Sequence, residues 1–215
     1  MKHVKIEITF EDRILGTEPS NPEIYRDYIL SKAPDPYVAQ QELNFLPPEE
    51  VDEDGVPLRT GITVFHRDAD GDPCLHMRHV KGFFKEACRA MQMAAGRDPE
   101  TGKKLAKNES SKLTAYKSKI DNLVFIAPDY LKLILPKGGQ LVKEQRPLLA
   151  ATPQGPRSAL ACSEAVPAGT KVRFTVTLLN DDLYPALIEW LDYGMLKGIG
   201  CWRNSGCGRF GYEEI

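Results

Sequence analysis

The 215-residue chain lacks any apolar run near the roughly 18 residues that a membrane helix needs, so it reads as neither membrane-spanning nor disordered. Cysteine is sparse. Cys74, Cys88, Cys162, Cys201 and Cys207 form an odd, scattered set, which argues against a disulfide framework and fits free thiols in a reducing cytosol. The opening Met1-Lys2-His3-Val4-Lys5-Ile6 lacks the apolar stretch and small-residue cleavage site of a signal peptide, and the expectation is a cytoplasmic protein. No glycine-lysine-serine or glycine-lysine-threonine triplet follows a strand-like segment, which excludes a P-loop. No internal repeat at a fixed period is present. Net charge is also nearly lacking, at −2 with a pI near 6.1, and taken alone this points away from a polyanionic partner.

What is present is a globular composition, with 42% hydrophobic and 27% charged residues. The expectation is a single domain over residues 1–215, with an acidic insertion near 34–60 and a basic, mobile connection near 96–119. The small net charge conceals this asymmetry. From Gln40 to Pro57 there are six acids (Glu42, Glu49, Glu50, Asp52, Glu53, Asp54) and no base, whereas from Arg78 to Lys119 eleven bases face four acids. A phosphate backbone responds to such a local block rather than to the total. A solvated, lysine-rich loop has the same composition.

Val4, Ile6, Ile8 and Phe10 alternate with Lys5, Glu7 and Thr9, the period of a strand with one face on a core. After Gly16-Thr17, Ser20-Asn21-Pro22-Glu23 offers a helix cap leading into Ile24, Tyr25, Tyr28, Ile29 and Leu30, until Pro34-Asp35-Pro36 breaks the pattern. Gly61 to His66 and Cys74 to Val80 read as hairpin arms around a turn at Asp68 to Asp72. A helix follows Lys81-Gly82, with Phe83, Phe84, Ala87, Cys88, Met91 and Ala95 on one face. Asn122 to Pro128 and Tyr130 to Pro136 are proline-bounded and therefore placed near sheet edges. Val142 to Leu149 and Ser158 to Glu164 flank a hairpin tip at Thr152 to Arg157. Thr170 to Leu179 is the clearest long strand, and Asn180-Asp181-Asp182 caps a helix carrying Leu183, Leu187, Ile188 and Leu191.

From Gly194 to Tyr212 glycines are interspersed with aromatics and arginines. Glycine admits close backbone approach, arginine pairs with phosphate, and a ring such as Trp202 stacks on a base. The combination describes a nucleic-acid surface. It also describes a loop-to-strand turn whose glycines relieve strain and whose Trp202 and Phe210 fill the core. Phe83, Phe84 and Trp190 read as core at helical spacing.

Two segments resemble, in type and order, those of the RAMP superfamily of CRISPR-associated RNA-binding proteins: Val80-Lys81-Gly82-Phe83-Phe84-Lys85-Glu86-Ala87-Cys88-Arg89, and the glycine-rich loop from Gly198-Ile199-Gly200 through Arg203 to Ser205-Gly206-Cys207-Gly208-Arg209-Phe210. Ser163 to Thr170, before a long strand, adds to the resemblance. It implies an α+β fold: a modified ferredoxin-like (RRM-like) antiparallel sheet with helices on one face, a β-hairpin thumb and a glycine-rich C-terminal loop. It implies a non-catalytic, single-stranded RNA-binding backbone subunit that lines a guide RNA, with the strand running over the sheet and the loop. Copies of itself or other effector subunits would be its partners, with no cofactor. Lys81, Lys85 and Arg89 become candidate phosphate contacts, and Gly198, Gly200, Gly206, Gly208, Trp202, Arg203 and Arg209 the candidate loop. Lys103 and Lys104 from the basic block, Arg157 at the hairpin tip and Lys197 complete the set. The acidic insertion departs from the pattern of a backbone subunit and leaves an alternative open, a phage-encoded protein that binds single-stranded DNA or mimics a CRISPR subunit.

RNA-cleaving members of that superfamily use a histidine acid-base. His66, His76 and His79 are therefore the candidate catalytic residues of a second alternative, a metal-independent endoribonuclease. Ordinary strand histidines are the plainer reading. Cys74-x-His76-x-x-His79 with Cys88 fits no common zinc-finger spacing, and the six acids read as a solvated segment rather than a magnesium site, so no metal is expected.

Overall fold

Alternation along the first ten residues sets the main sheet. β1 (Lys2–Phe10) buries Val4, Ile6, Ile8 and Phe10 on one face and turns Lys5 and Thr9 to the other. β11 (Lys171–Leu178) repeats the pattern with Val172, Phe174, Val176 and Leu178, and the two strands pair antiparallel from Lys2↔Leu178 to Thr9↔Lys171. In the computed structural model, which describes residues 1–21, 24–25, 27, 62–102, 105–152 and 155–215, β12 (Phe210–Glu214) flanks β1 and β7 (Val124–Ala127) flanks β11. The resulting order β12-β1-β11-β7 is antiparallel throughout.

The helices are α1 (Met77–Ala95), α2 (Glu109–Lys112), α3 (Tyr116–Leu123) and α4 (Tyr184–Lys197). The first three lie between β1 and β7 in the chain, and α4 lies between β11 and β12. This β-α-β-β-α-β path, with the last strand outermost beside the first, is ferredoxin-like. Val80, Phe83, Phe84, Ala87 and Cys88 of α1 and Ala186, Leu187, Trp190 and Leu191 of α4 close over the apolar sheet face. Full burial of each large apolar side chain contributes about 1.5–3 kcal/mol. The Phe84 and Trp190 rings meet with centroids 5.5 Å apart.

The other strands are excursions from this core. Between β1 and α1 come β2 (Ile14–Leu15), β3 (Glu18–Pro19), β4 (Ile62–Val64), β5 (His66–Arg67) and β6 (Pro73–His76). Between β7 and β11 come β8 (Tyr130–Lys132), β9 (Val142–Thr152) and β10 (Gly155–Val166). β9 and β10 form a long hairpin paired from Val142↔Ala165 to Thr152↔Gly155. β10 continues into a second sheet of order β2-β10-β4-β3, and β5-β6-β8 form a third. One pair in the second sheet, β10 with β4, runs parallel, because β4 is inserted between β3 and β10 rather than returning from a hairpin.

Several stretches differ from the sequence expectation. α1 starts at Met77 instead of after Gly82, because His76 ends β6 in an extended conformation and its Nδ1 accepts the Arg78 N–H at 3.1 Å, an N-cap. His79 thus stands on a helix and not on a hairpin arm. Helix α3 runs up to Leu123, so the strand expected from Asn122 begins at Val124. The strand expected over Tyr130 to Pro136 narrows to β8 and an isolated bridge, Ile134↔Lys171.

The connection over 96–119, expected to be mobile, is docked in its second half through a serine rather than its lysines. Ser110 is fully buried; its N–H and hydroxyl donate to Glu189 Oε2, and Trp190 Nε1 donates to its Oγ at 3.0 Å. The acidic insertion near 34–60 lies outside the described residues. Among the described residues no helix is long and apolar enough to cross a membrane.

Candidate nucleic-acid interface

The 19 residues of α1 extend about 28 Å at 1.5 Å per residue. Arg78, Gly82 and Glu86, one helical turn apart, share a cleft of about 410 Å³ with Thr17, His79 and the loop residues Gly200, Cys201 and Arg203. Farther along, Lys85, Glu86, Arg89 and Met93 line a groove of about 680 Å³ with Tyr116 and Lys117 of α3 and Tyr193 of α4. Arg89 and Met93 also border a hollow of about 490 Å³ that reaches Arg97. The shared residues Glu86 and Arg89 join these recesses into one track on the helical side of the molecule. Cations beside aromatic rings are the chemistry that holds single-stranded nucleic acid, the rings stacking on bases and the cations following phosphates.

The fold divides the basic residues expected to contact phosphate. Lys81 Nζ donates to the Asp121 carbonyl at 2.9 Å and lies 5.2 Å from the Phe125 ring, where burial pushes its amine below the usual lysine range. Lys85 pairs with Asp121 at 2.5 Å. Both are turned toward α3, although Lys85 still borders the groove. Arg89 and Lys117 form no ion pair among the described residues and are the most available cations of the track. Lys103 and Lys104 lie outside the described residues, and the backbone of Arg157 pairs with Ala150 in the β9–β10 hairpin.

The glycine-rich tail divides into residues that hold the loop together and residues that face the cleft. Ile199 N–H donates to the Gly208 carbonyl at 2.9 Å, and Gly208 N–H to the Arg13 carbonyl at 2.9 Å. A Cβ on Gly208 would sit 1.9 Å from the Ile199 carbonyl oxygen, and one on Gly198 would sit 2.6 Å from the Gly208 carbonyl carbon. These two glycines clasp the loop, and Phe210 is core. Gly200 and Arg203 face the cleft, with Arg203 Nη1 held 2.7 Å from Glu86 Oε2. Arg209 is paired with Asp12 at 2.6 Å, Lys197 Nζ donates to Asn204 Oδ1 at 2.5 Å, and Gly206 ends a short 3₁₀ turn over Arg203–Ser205. Trp202 is partly exposed and stacks on the guanidinium of Arg146, 4.5 Å from ring centre to Cζ.

The three histidines meet around one buried carboxylate, Glu18. His66 is fully buried, with Nε2 2.6 Å from the Tyr25 hydroxyl, and burial together with the charge of Arg78 pushes its pKa down to about 4. His76, the α1 cap, is pushed down to about 3 for the same reasons. Both are neutral near pH 7 and buried away from the surface. Only His79 lines the cleft, and its Nε2 lies 2.6 Å from Glu18 Oε1, which also accepts Arg78 Nη2 at 3.0 Å. Burial alone would raise the Glu18 carboxyl; the His79 hydrogen bond and the Arg78 charge outweigh it and hold the pKa down to about 2. A cation in the first turn opposes the helix dipole, and Glu18 offsets that penalty for Arg78.

Among the described residues, clustered side chains able to ligate a metal occur at Asp68, Asp70 and Asp72 in the β5–β6 turn. Lys132 Nζ sits among them, 3.3 Å from Asp68 and 3.8 Å from Asp70 and in contact with Asp72. Cys74 is buried and its thiol pushed up to about 11.

The outer face of the four-stranded sheet has a different character. Its central strands present His3, Lys5 and Thr9 of β1 and Arg173, Thr175 and Thr177 of β11, with no Phe, Tyr or Trp; the His3 ring is hydrogen-bonded to Thr177 at 2.9 Å, and Phe125 is exposed on the edge strand β7. Sequence reasoning missed Arg78, Tyr116, Lys117 and Tyr193 as groove residues. Arg78 and Lys117 fell inside the counted basic block, so charge density was an available signal; the tyrosines had none.

No family model and no curated protein matches this chain. Solved structures do resemble it over its whole length. A chain of the Type III-B Cmr-beta complex bound to cognate target RNA superposes with TM-score 0.45 at 12% identity, covering 100% of this chain and 61% of that one. A chain of a Type IV-B CRISPR complex superposes with TM-score 0.49 at 11% identity, covering 100% of this chain and 90% of that one. Cmr6 from Pyrococcus furiosus gives TM-score 0.49 at 12% identity, covering 100% of this chain and 98% of the other. This chain thus spans about three-fifths of the first of these proteins. At such scores the fold assignment rests on strand order rather than on the likeness.

Proposed function

We propose that this protein is a non-catalytic subunit that binds single-stranded RNA in a CRISPR-type ribonucleoprotein, holding the strand along α1. The observation that carries the reading is the meeting of the two segments singled out in the sequence. Gly82 and Glu86 of the first and Gly200 and Arg203 of the second line one cleft, which opens onto a groove with Arg89, Lys117, Tyr116 and Tyr193. Arg89, Lys117 and Arg203 take phosphates and the tyrosines take bases. The β9–β10 hairpin is the thumb, and neighbouring subunits, including further copies, extend the path.

The experiment is binding of labelled single-stranded RNA and matched DNA at two salt concentrations, with product gels alongside. An Arg89→Ala/Lys117→Ala/Arg203→Ala variant should reduce the slope of log K against log salt by about 2, from about 0.7 per phosphate contact on a single strand. RNA should bind more tightly than DNA and remain uncut. Absence of binding at low salt would overturn the reading. Equal binding of DNA would favour the single-stranded DNA alternative, and cleavage lost on His79→Ala would favour the endoribonuclease.

A further inference from the structure

Arg146 projects from β9 onto a face of the second sheet with its guanidinium beneath Trp202. Only 9% of the residue is exposed. Nη2 donates to Ser163 Oγ at 3.1 Å, and Ser163 shares a second hydrogen bond, 2.6 Å, with Thr63 Oγ1. Nε and Nη1 are buried with no acceptor, and no carboxylate pairs with this arginine among the described residues. A guanidinium stripped of water ordinarily gains two or more charge-assisted bonds to a carboxylate or phosphate, and a buried charge without them is destabilising.

Its aromatic partner is also in an unfavourable state. Trp202 has φ 59°, the left-handed region that a bulky side chain rarely adopts. It follows Cys201, which lines the cleft, and precedes Arg203, which lines it too. A buried cation with two unbonded donors, in contact with a residue whose backbone is strained and beside a cleft already carrying Arg78 and Arg203, marks a place for one group of negative charge.

We infer that Arg146 and Trp202 form an anion seat for a phosphate group. Relaxation of Trp202 from the left-handed conformation uncovers Nε and Nη1, and a phosphate oxygen then completes the guanidinium while the indole keeps its face on the cation. For its natural ligand this assignment rests on the RNA-binding reading, the anion being a backbone phosphate of the strand in the cleft. The seat itself recognises phosphate from any source.

The test uses the full chain, unaltered and as Arg146→Met, which keeps the aliphatic bulk and removes the charge. Thermal unfolding is followed while inorganic phosphate replaces chloride at constant ionic strength, and binding of a labelled oligouridylate is measured in parallel. Unaltered protein should gain stability with phosphate by mass action, Arg146→Met should show no phosphate response, and without phosphate the variant should melt higher because an unpaired buried charge is gone. Its salt slope on oligouridylate should be smaller by about 0.7.

An Arg146→Met protein that melts lower and keeps the phosphate response overturns the seat and leaves the arginine as packing. Oligouridylate binding unchanged by the variant also overturns it, while leaving the RNA reading standing. An Arg146-dependent phosphate response without RNA binding does the reverse. Acrylamide quenching of the unaltered protein gives a check that needs no variant. Trp190 is fully buried, so Trp202 dominates the quenchable emission, and quenching that saturating phosphate does not change would sink the proposal.

Discussion

Two histidines held neutral inside the fold fix how the protein meets acid. In an unfolded chain each titrates near 6.5; burial, aided by the charge of Arg78, pushes His66 down to about 4 and His76 to about 3. Between pH 6 and pH 4.5 the unfolded state therefore binds about two more protons than the native state, and stability must fall as pH falls. Each extra proton contributes about 1.36 kcal/mol per pH unit, so the slope approaches ~2.7 kcal/mol per unit. Glu18 acts in the same direction at lower pH, because its carboxylate stays charged down to about 2 in the fold while the unfolded group protonates near 4.5. Against a total stability of about 5–15 kcal/mol, the histidine contribution alone is a large fraction. Urea unfolding at a series of pH values, followed by circular dichroism, reads the slope directly. His76→Asn keeps an acceptor for the Arg78 N–H and removes one titrating group, so its slope should halve to about 1.4 kcal/mol per unit. Stability that stays flat between pH 6.5 and pH 5, or a His76→Asn slope equal to the wild-type one, would refute the burial argument.

Gly208→Ala forces a Cβ into the left-handed region, at about 1–2 kcal/mol, and onto the Ile199 carbonyl oxygen 1.9 Å away, so its urea midpoint should fall by the equivalent of more than ~2 kcal/mol. Gly82→Ala should go the other way by about 0.5–1 kcal/mol, because in the interior of α1 the added methyl meets nothing within 4 Å. Ser110→Ala removes the acceptor of Trp190 Nε1 and a donor to Glu189, which should cost about 1–3 kcal/mol. It should also speed amide hydrogen exchange over residues 105–114 more than in the main sheet, and uniform exchange would mean that this segment is not docked through Ser110.

β1 and β11 are legible because each has one face on the helices and one outside, so burial writes a period of two into the sequence. The Asn180 cap is legible for a similarly local reason, its side chain accepting the Asp182 N–H two residues on. The start of α1 is not. From Cys74 to Val80 apolar and polar residues fit a strand as well as a helix, and what decides is a tertiary choice, His76 turning its ring back onto the Arg78 N–H. For the candidate site, the sequence singled out the two segments but neither that they meet nor which side chains face one another. At 100° per residue, Lys81 lies on the side of α1 toward Asp121, while Arg78, Gly82 and Glu86 meet the glycine-rich loop. Arg146 was unread altogether, since its interest comes from burial without an acceptor, which no local pattern records.

The placement of the track follows from what each side of the sheet offers. A sheet that reads single-stranded RNA in the RRM manner needs aromatic side chains on its central strands. Here those positions carry lysine, threonine, arginine and a single histidine, His3, whose ring is hydrogen-bonded to Thr177, and the Glu7 carboxylate engages both Lys171 and Arg173, neutralising two cations that a phosphate would need. On the helical side the balance is reversed. Arg89 and Lys117 stand free of carboxylate partners among the described residues, and Tyr116 and Tyr193 stand beside them. Glu86 holds Arg203 at the junction of cleft and groove, so a phosphate arriving there must compete with a partly exposed ion pair. Such pairs are worth only about 0–1 kcal/mol, which makes Arg203 readily released to a polyanion, whereas Arg78 and His79 are tied to the fully buried carboxylate of Glu18, which loses more if a partner leaves. Arg89, Lys117 and Arg203 are thus the cations that exchange ligands at least cost, and Arg78 is the one held in place.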